Sequence, residues 1–185
     1  MSTEWMAFDD GQCIARGSKL EVAIKSKRYW EQNRESLILV FDRATGRQTD
    51  FDFTLDEALL KRAVEASERQ PTRKPGRPRL GVTAREVTLL PRHWDWLSTQ
   101  RGGASAALRR LVDQARKEQA GSDQARTAQE ATYRFMSGVA GDRPGFEEAS
   151  RALFAGDAAR FYAEIHDWPD DIVAELKHIS REAMS

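Results

Sequence analysis

Apolar residues follow one rhythm in the first third of the chain and another in the rest. Trp5 to Phe8 is a short strand-like run, Asp9-Asp10-Gly11 is a turn, and Gln12 to Ala15 returns as a strand. Asp-Gly between two such runs is a hairpin signal, because both turn positions need positive φ. Ser18-Lys19-Leu20-Glu21 has the S-x-x-E spacing of a capping box, in which each side chain satisfies a free N–H of the first helical turn. A helix over about Leu20 to Trp30 follows. Leu37-Ile38-Leu39-Val40-Phe41 is an unbroken apolar run and predicts a strand buried on both faces. Ala44-Thr45-Gly46-Arg47 turns the chain, and Gln48 to Phe53 alternates as the hairpin partner. Thr54-Leu55-Asp56-Glu57 repeats the capping-box spacing and opens a helix to about Arg69. Residues 1–69 therefore predict a small ββαββα unit.

Residues 70–83 break the pattern. Pro71, Pro75 and Pro78 bias their predecessors away from helix, so this stretch predicts an extended arm or linker and a domain boundary. Within residues 84–120, Arg85 to Leu90 is a short strand candidate, and Pro91 suits the first position of a helix over Arg92 to Gln100. Trp94 and Leu97 share a face there. Gly102-Gly103 interrupts, and Ser105 can cap a second helix from Ala106 to about Gln119. Leu108, Leu111, Val112 and Ala115 form its apolar stripe. Residues 121–185 predict further helices: Asp123 to Val139, Phe146 to Phe154, Ala158 to His166 with Asp157 as N-cap, and a last one from Trp168-Pro169. The fold class expected is α+β: the ββαββα unit, a basic extended linker, then a short strand and a mostly α-helical C-terminal half.

Charge changes this picture. The 185 residues sum to zero, but unevenly. Residues 1–60 carry 8 basic and 11 acidic side chains, residues 71–117 carry 11 and 3, and residues 121–185 carry 7 and 12. A basic middle between acidic ends suggests an anionic partner, most often nucleic acid, unless the ends neutralise the middle within the fold. No run approaches the ~20 apolar residues of a membrane span. The N-terminal MSTEWMAFDDGQC has neither the basic region nor the apolar stretch of a signal peptide, and a lone cysteine fits a reducing compartment. A cytoplasmic location without membrane partners is expected.

Sequence signatures of catalysis are missing. The chain has no G-x-G-x-x-G after a strand, no G-x-x-x-x-G-K-[ST], no H-E-x-x-H and no C-x-x-C. His93, His166 and His178 have no metal-ligand spacing. Asp170 and Asp171 at a helix start are accounted for by capping and the macrodipole. Cys13 on a short strand reads as a small core residue. No enzymatic activity, metal or cofactor is expected.

The arm suggests a different chemistry. In KPGRPRLG, Pro78 fixes extended backbone and Gly76 adds no bulk, so Arg77 and Arg79 can follow a narrow A·T-rich minor groove. The Gly76-Arg77-Pro78 core, with Arg73, Lys74 and Arg79 nearby, resembles an AT-hook. Residues 84–117 resemble the ribbon-helix-helix family of bacterial repressors: a strand ending Leu90-Pro91, a first helix, a glycine turn, then Ser105-x-x-Leu108-Arg109-Arg110-Leu111-Val112. That resemblance implies two chains pairing their strands into a ribbon for the major groove, with a phosphate held at Gly103, Ala104 and Ser105. In one strand phase Arg85, Val87 and Leu89 face the DNA; in the other, Glu86 and Thr88 do. Arg109 and Arg110 would add non-specific attraction. The wider chain resembles a bacterial family of unknown function through GRPRLGVTAREVTLLPRHWDWL, GGASAALRRLVDQAR and GDRPGFEEASRALFAGDAARFYAEIHDWPDDI. The expectation is a dimeric DNA-binding protein of the kind found among transcriptional regulators. The alternative is an interaction or scaffold module in which the basic stretch is a solvated linker and Arg109 and Arg110 pair with acidic C-terminal helices.

Overall fold

The computed structural model of the chain describes residues 4–68 and 85–184. The architecture is mixed α+β, with one four-stranded antiparallel sheet and eight helices among the described residues. The chain forms two compact units, residues 1–70 with 123–185, and residues 71–122.

In the first unit the expected order is present: β1 (Trp5–Asp9), β2 (Gln12–Gly17), α1 (Lys19–Gln32), β3 (Leu39–Asp42), β4 (Gln48–Thr49) and α2 (Glu57–Glu68). The sheet runs β2-β1-β3-β4. Asp10 (φ 42°) and Gly11 (φ 83°) supply the two positive-φ positions of the β1–β2 turn. The Ser18–Glu21 capping box forms as expected: Glu21 N–H donates to Ser18 Oγ at 3.3 Å and Ser18 N–H to Glu21 Oε2 at 2.8 Å. The Ser18 N–H bond, and after it a bond from the Ser18 hydroxyl to the same Oε2 at 2.8 Å, hold the Glu21 carboxyl below its ordinary pKa. The second box does not form. Asp56 accepts the Leu59 N–H at 2.8 Å, while Thr54 turns its hydroxyl to Asp52. Asp56 is the residue directly before α2, so its carboxylate reaches the free N–H groups that Thr54 is too far back to meet. The paired part of β4 is also shorter than expected.

Both faces of the sheet are covered, and the alternation of β1 decides what each meets. Met6 and Phe8, with Phe41 of β3, enter a core built with the C-terminal helices α5 (Ala120–Ala140), α6 (Phe146–Ala155), α7 (Ala158–Glu164) and α8 (Asp170–Ile179). Phe135 sits between them, its ring centroid 5.3 Å from Phe8 and 5.1 Å from Phe41. Ala7, Ala15 and Val40 face the other way, against Val22 of α1. The β1–β2 register shifts between Ala7 and Phe8. This bulge inserts Ile14, so Cys13 packs on the helical side while Ile14 and Ala15 pack on the α1 side. Residues 1–69 and 121–185, distinct segments in the sequence, therefore share a core. The apolar parity of β1 and β3 leaves Met6, Phe8 and Phe41 in need of a second layer.

The second unit holds α3 (Pro91–Ser98) and α4 (Gly103–Glu118). Pro91 starts α3 as expected, with Leu90 as N-cap in extended conformation. Gly102 and Gly103 both take positive φ, at 87° and 75°, and make the break between the helices. α4 starts there, so Ser105 lies inside its first turn and is not the N-cap; no side chain caps this helix. Residues 85–90 are paired into no sheet. A strand needs a partner, and within one chain the described residues offer this segment none.

Candidate nucleic-acid interface

The small second unit is only partly closed. Among its described residues only Leu97 and Ala107 are buried. Of the ten large apolar side chains exposed on the described chain, six lie between residues 87 and 112: Val87, Leu90, Trp94, Trp96, Leu111 and Val112. Leu97 is buried, whereas Trp94 is 41% exposed. Leu89, Trp96, Leu97, Leu108 and Leu111 line one groove of about 300 Å³ with Arg92 and His93 at its edge. A helix pair with so little interior leaves much of its apolar surface in water.

The same segment is rich in basic side chains. Residues 85–118 carry seven basic and four acidic side chains, and none of the seven makes an ion pair with a described residue. Arg109 folds back so that Nε donates to the Ser105 carbonyl at 3.2 Å. Arg110 reaches the Arg101 carbonyl at 3.0 Å. Both guanidinium groups are thus tethered close to the start of α4. Arg85 and Thr88 are exposed, as are Val87 and Glu86, while Leu89 is half-buried.

The uncapped start of α4 has the features expected of an anion site in part. Gly103 N–H is used by the Gln100 carbonyl at 2.9 Å. Ala104 and Ser105 come next, in the first turn, where N–H groups have no intrahelical acceptor and the helix dipole is positive. The arm residues Arg73, Lys74, Gly76, Arg77, Pro78 and Arg79 lie outside the described residues.

Residues 4–180 match the family described as "Uncharacterized protein conserved in bacteria (DUF2239)". The chain belongs to this family. No curated protein and no solved structure matches it.

Two features of this DUF2239 chain had no signal in the sequence. One is a charged cluster that ties α8 to the sheet. Glu175, 1% exposed, accepts from Arg43 Nε at 2.6 Å and Nη2 at 3.1 Å, and pairs with Arg16 at 3.3 Å. Glu4 also pairs with Arg43. Burial works against the Arg43 charge, but the bonds to Glu175 and Glu4 outweigh it and raise its pKa. The second is a cleft of about 1050 Å³ formed by three loops of the first unit. Among the described residues no group of three or more His, Cys, Asp or Glu side chains is placed to hold a metal ion, and no helix is long and apolar enough to cross a membrane.

Proposed function

We propose that this DUF2239 protein binds DNA as a dimer, its second unit serving as both the dimer seam and the DNA-facing surface, in the manner of a transcriptional regulator. The observation that carries this is the coincidence, within residues 85–118, of six exposed apolar side chains and seven cations that make no ion pair with a described residue. Apolar surface of that density on so small a unit favours a second copy. In a two-fold pair, residues 85–90 would find in the other chain the strand partner they lack in their own. The cations, doubled by the symmetry, would then flank the seam and neutralise phosphates. Ala104 and Ser105 would hold a backbone phosphate at the start of α4, and Arg109 and Arg110 would strengthen the field around it. The arm would add Arg73, Lys74, Arg77 and Arg79, with Gly76 and Pro78 shaping it for an A·T-rich minor groove.

Fluorescence anisotropy with A·T-rich and G·C-rich duplexes tests the arm, comparing the wild type with Arg77→Ala/Arg79→Ala. The double substitution should weaken binding, and do so more on the A·T-rich duplex. Equal loss on both would remove the minor-groove role and leave only charge. The same exposed groove favours a second possibility, a protein-interaction module. It predicts a stable partner protein that co-purifies after nuclease treatment, with no affinity of the purified chain for DNA.

A further inference from the structure

The cleft of the first unit lies among the β1–β2 turn, the loop between α1 and β3, and the loop between α5 and α6. Its volume, about 1050 Å³, is at the upper end of that of small-molecule sites, roughly 300–1,000 Å³. Four carboxylates and two guanidinium groups line it. They are not spent on one another. Arg34 lies over the Trp30 ring at 4.1 Å, and Asp9 accepts the Tyr29 hydroxyl at 2.9 Å. Asp10, Glu35 and Asp142 make no side-chain hydrogen bond or ion pair with a described residue.

Arg143 is the unusual member. Its Nε is buried and has no hydrogen-bond partner among the described residues, and no carboxylate of a described residue lies within ion-pair distance although several line the same cleft. Its guanidinium rests against Gly11, where a Cβ would come within 3.3 Å of Nη2. Asp10 immediately precedes Gly11 and Asp142 immediately precedes Arg143. The Gly11–Arg143 contact therefore brings one guanidinium and two carboxylate-bearing residues to the same end of the cleft.

We propose that this cleft binds a small zwitterion of the amino-acid or short-peptide class. The carboxylate of the ligand is received by the Arg143 guanidinium, and its ammonium group lies near Asp10 and Asp142. Charge selects this class. A phosphate or other dianion meets four carboxylates, and their repulsion opposes it. A simple cation satisfies the carboxylates but gives Arg143 no acceptor. A zwitterion does both, and a guanidinium is suited to two parallel bonds with a carboxylate. Phe8, Leu37, Leu39 and Val139 supply apolar wall for a side chain, Leu37 being 75% exposed in the free chain. This site stands apart from the DNA-binding proposal and does not depend on it.

The test uses the full chain with the encoded amino acids and a set of dipeptides, screened by thermal shift at about 10 mM and followed by calorimetry. At least one of them should bind with a dissociation constant below about 1 mM. Its N-acetylated and C-amidated analogues should bind at least about tenfold more weakly. Arg143→Gln and Asp142→Asn should each lose about tenfold in affinity. Neither side chain makes a bond that the fold uses, so both variants should keep the wild-type melting temperature without ligand. No shift with any of these probes would overturn the proposal. So would a blocked analogue that binds as tightly as its parent, or binding that both variants leave unchanged.

Discussion

Replacing Leu111 by aspartate should separate the two copies of the proposed dimer without unfolding either. Leu111 lies on α4, lines the apolar groove, and is 43% exposed in the single chain. Burying a whole leucine contributes about 1.5–3 kcal/mol, so covering the part still in water is worth about 1 kcal/mol. A two-fold interface carries the substitution twice, and Leu111→Ala should therefore cost the dimer about 2 kcal/mol, or about thirtyfold in its dissociation constant. Leu111→Asp adds a carboxylate stranded in an apolar seam on each side, at several kcal/mol per ion, and should weaken association by about a thousandfold or more. Sedimentation equilibrium measures this directly. Far-UV circular dichroism of the monomeric variant should keep the wild-type helix signal, because Leu111 already meets solvent in the folded chain. A wild type that is monomeric at about 100 μM, or a Leu111→Asp chain that associates as tightly as the wild type, would refute the assignment of this face.

Three further substitutions test the first unit. Glu175→Ala leaves Arg43 and Arg16 without their buried counter-ion and should cost about 3 kcal/mol in urea unfolding. The low end of the range applies because Arg43 keeps Glu4 and the Arg16 side chain is 42% exposed; a loss below about 1 kcal/mol would show Glu175 to be solvated. Gly46 has φ 64°, and a Cβ there would come within 2.0 Å of the Ala131 carbonyl oxygen, so Gly46→Ala should destabilise by about 3 kcal/mol or more. A variant that melts as the wild type does would contradict this contact between the β3–β4 turn and α5. The depressed pKa of Glu21 sets the sign of a pH effect: its stabilisation is present above the ordinary carboxylate range and is lost as pH falls through the folded value. The coupling between Ser18→Ala and Glu21→Gln in thermal unfolding should therefore be clear at neutral pH and vanish in strong acid; a coupling that does not change with pH would mean that the charged carboxylate is not what the cap uses.

Local signals were enough for the order of elements. Asp10-Gly11 made a two-residue turn, Ser18 and Glu21 capped α1, Pro91 opened α3 and Asp157 capped α7, because each needs only neighbours in sequence. Thr54 misled for the same reason: its spacing was right, but Asp56 is nearer to the free N–H groups. What a strand packs against is not a local property. The parity of Met6, Phe8 and Phe41 required a second layer, yet nothing in their neighbourhood pointed to Phe135. Glu175 likewise reads as an ordinary polar residue of α8, and only the fold brings Arg16 and Arg43 to it. Residues 85–90 have a strand-like composition that the described residues give no partner. At the candidate site, the sequence identified Arg109 and Arg110 but not the Ser105 and Arg101 carbonyls that receive them, which the geometry of the α4 start decides. The cleft was invisible because three separate loops contribute to it.

The most direct measurement is a titration of a short duplex at two or more salt concentrations, comparing the wild type with Leu111→Asp. A dimer that presents the second unit to DNA should bind as two chains per duplex, with affinity falling steeply as salt rises, since each neutralised phosphate contributes a slope of about −0.9 in log K against log salt. The monomeric variant should bind far more weakly at every salt concentration. No binding by the folded wild type at about 50 mM salt, or equal affinity of the two proteins, would contradict the account.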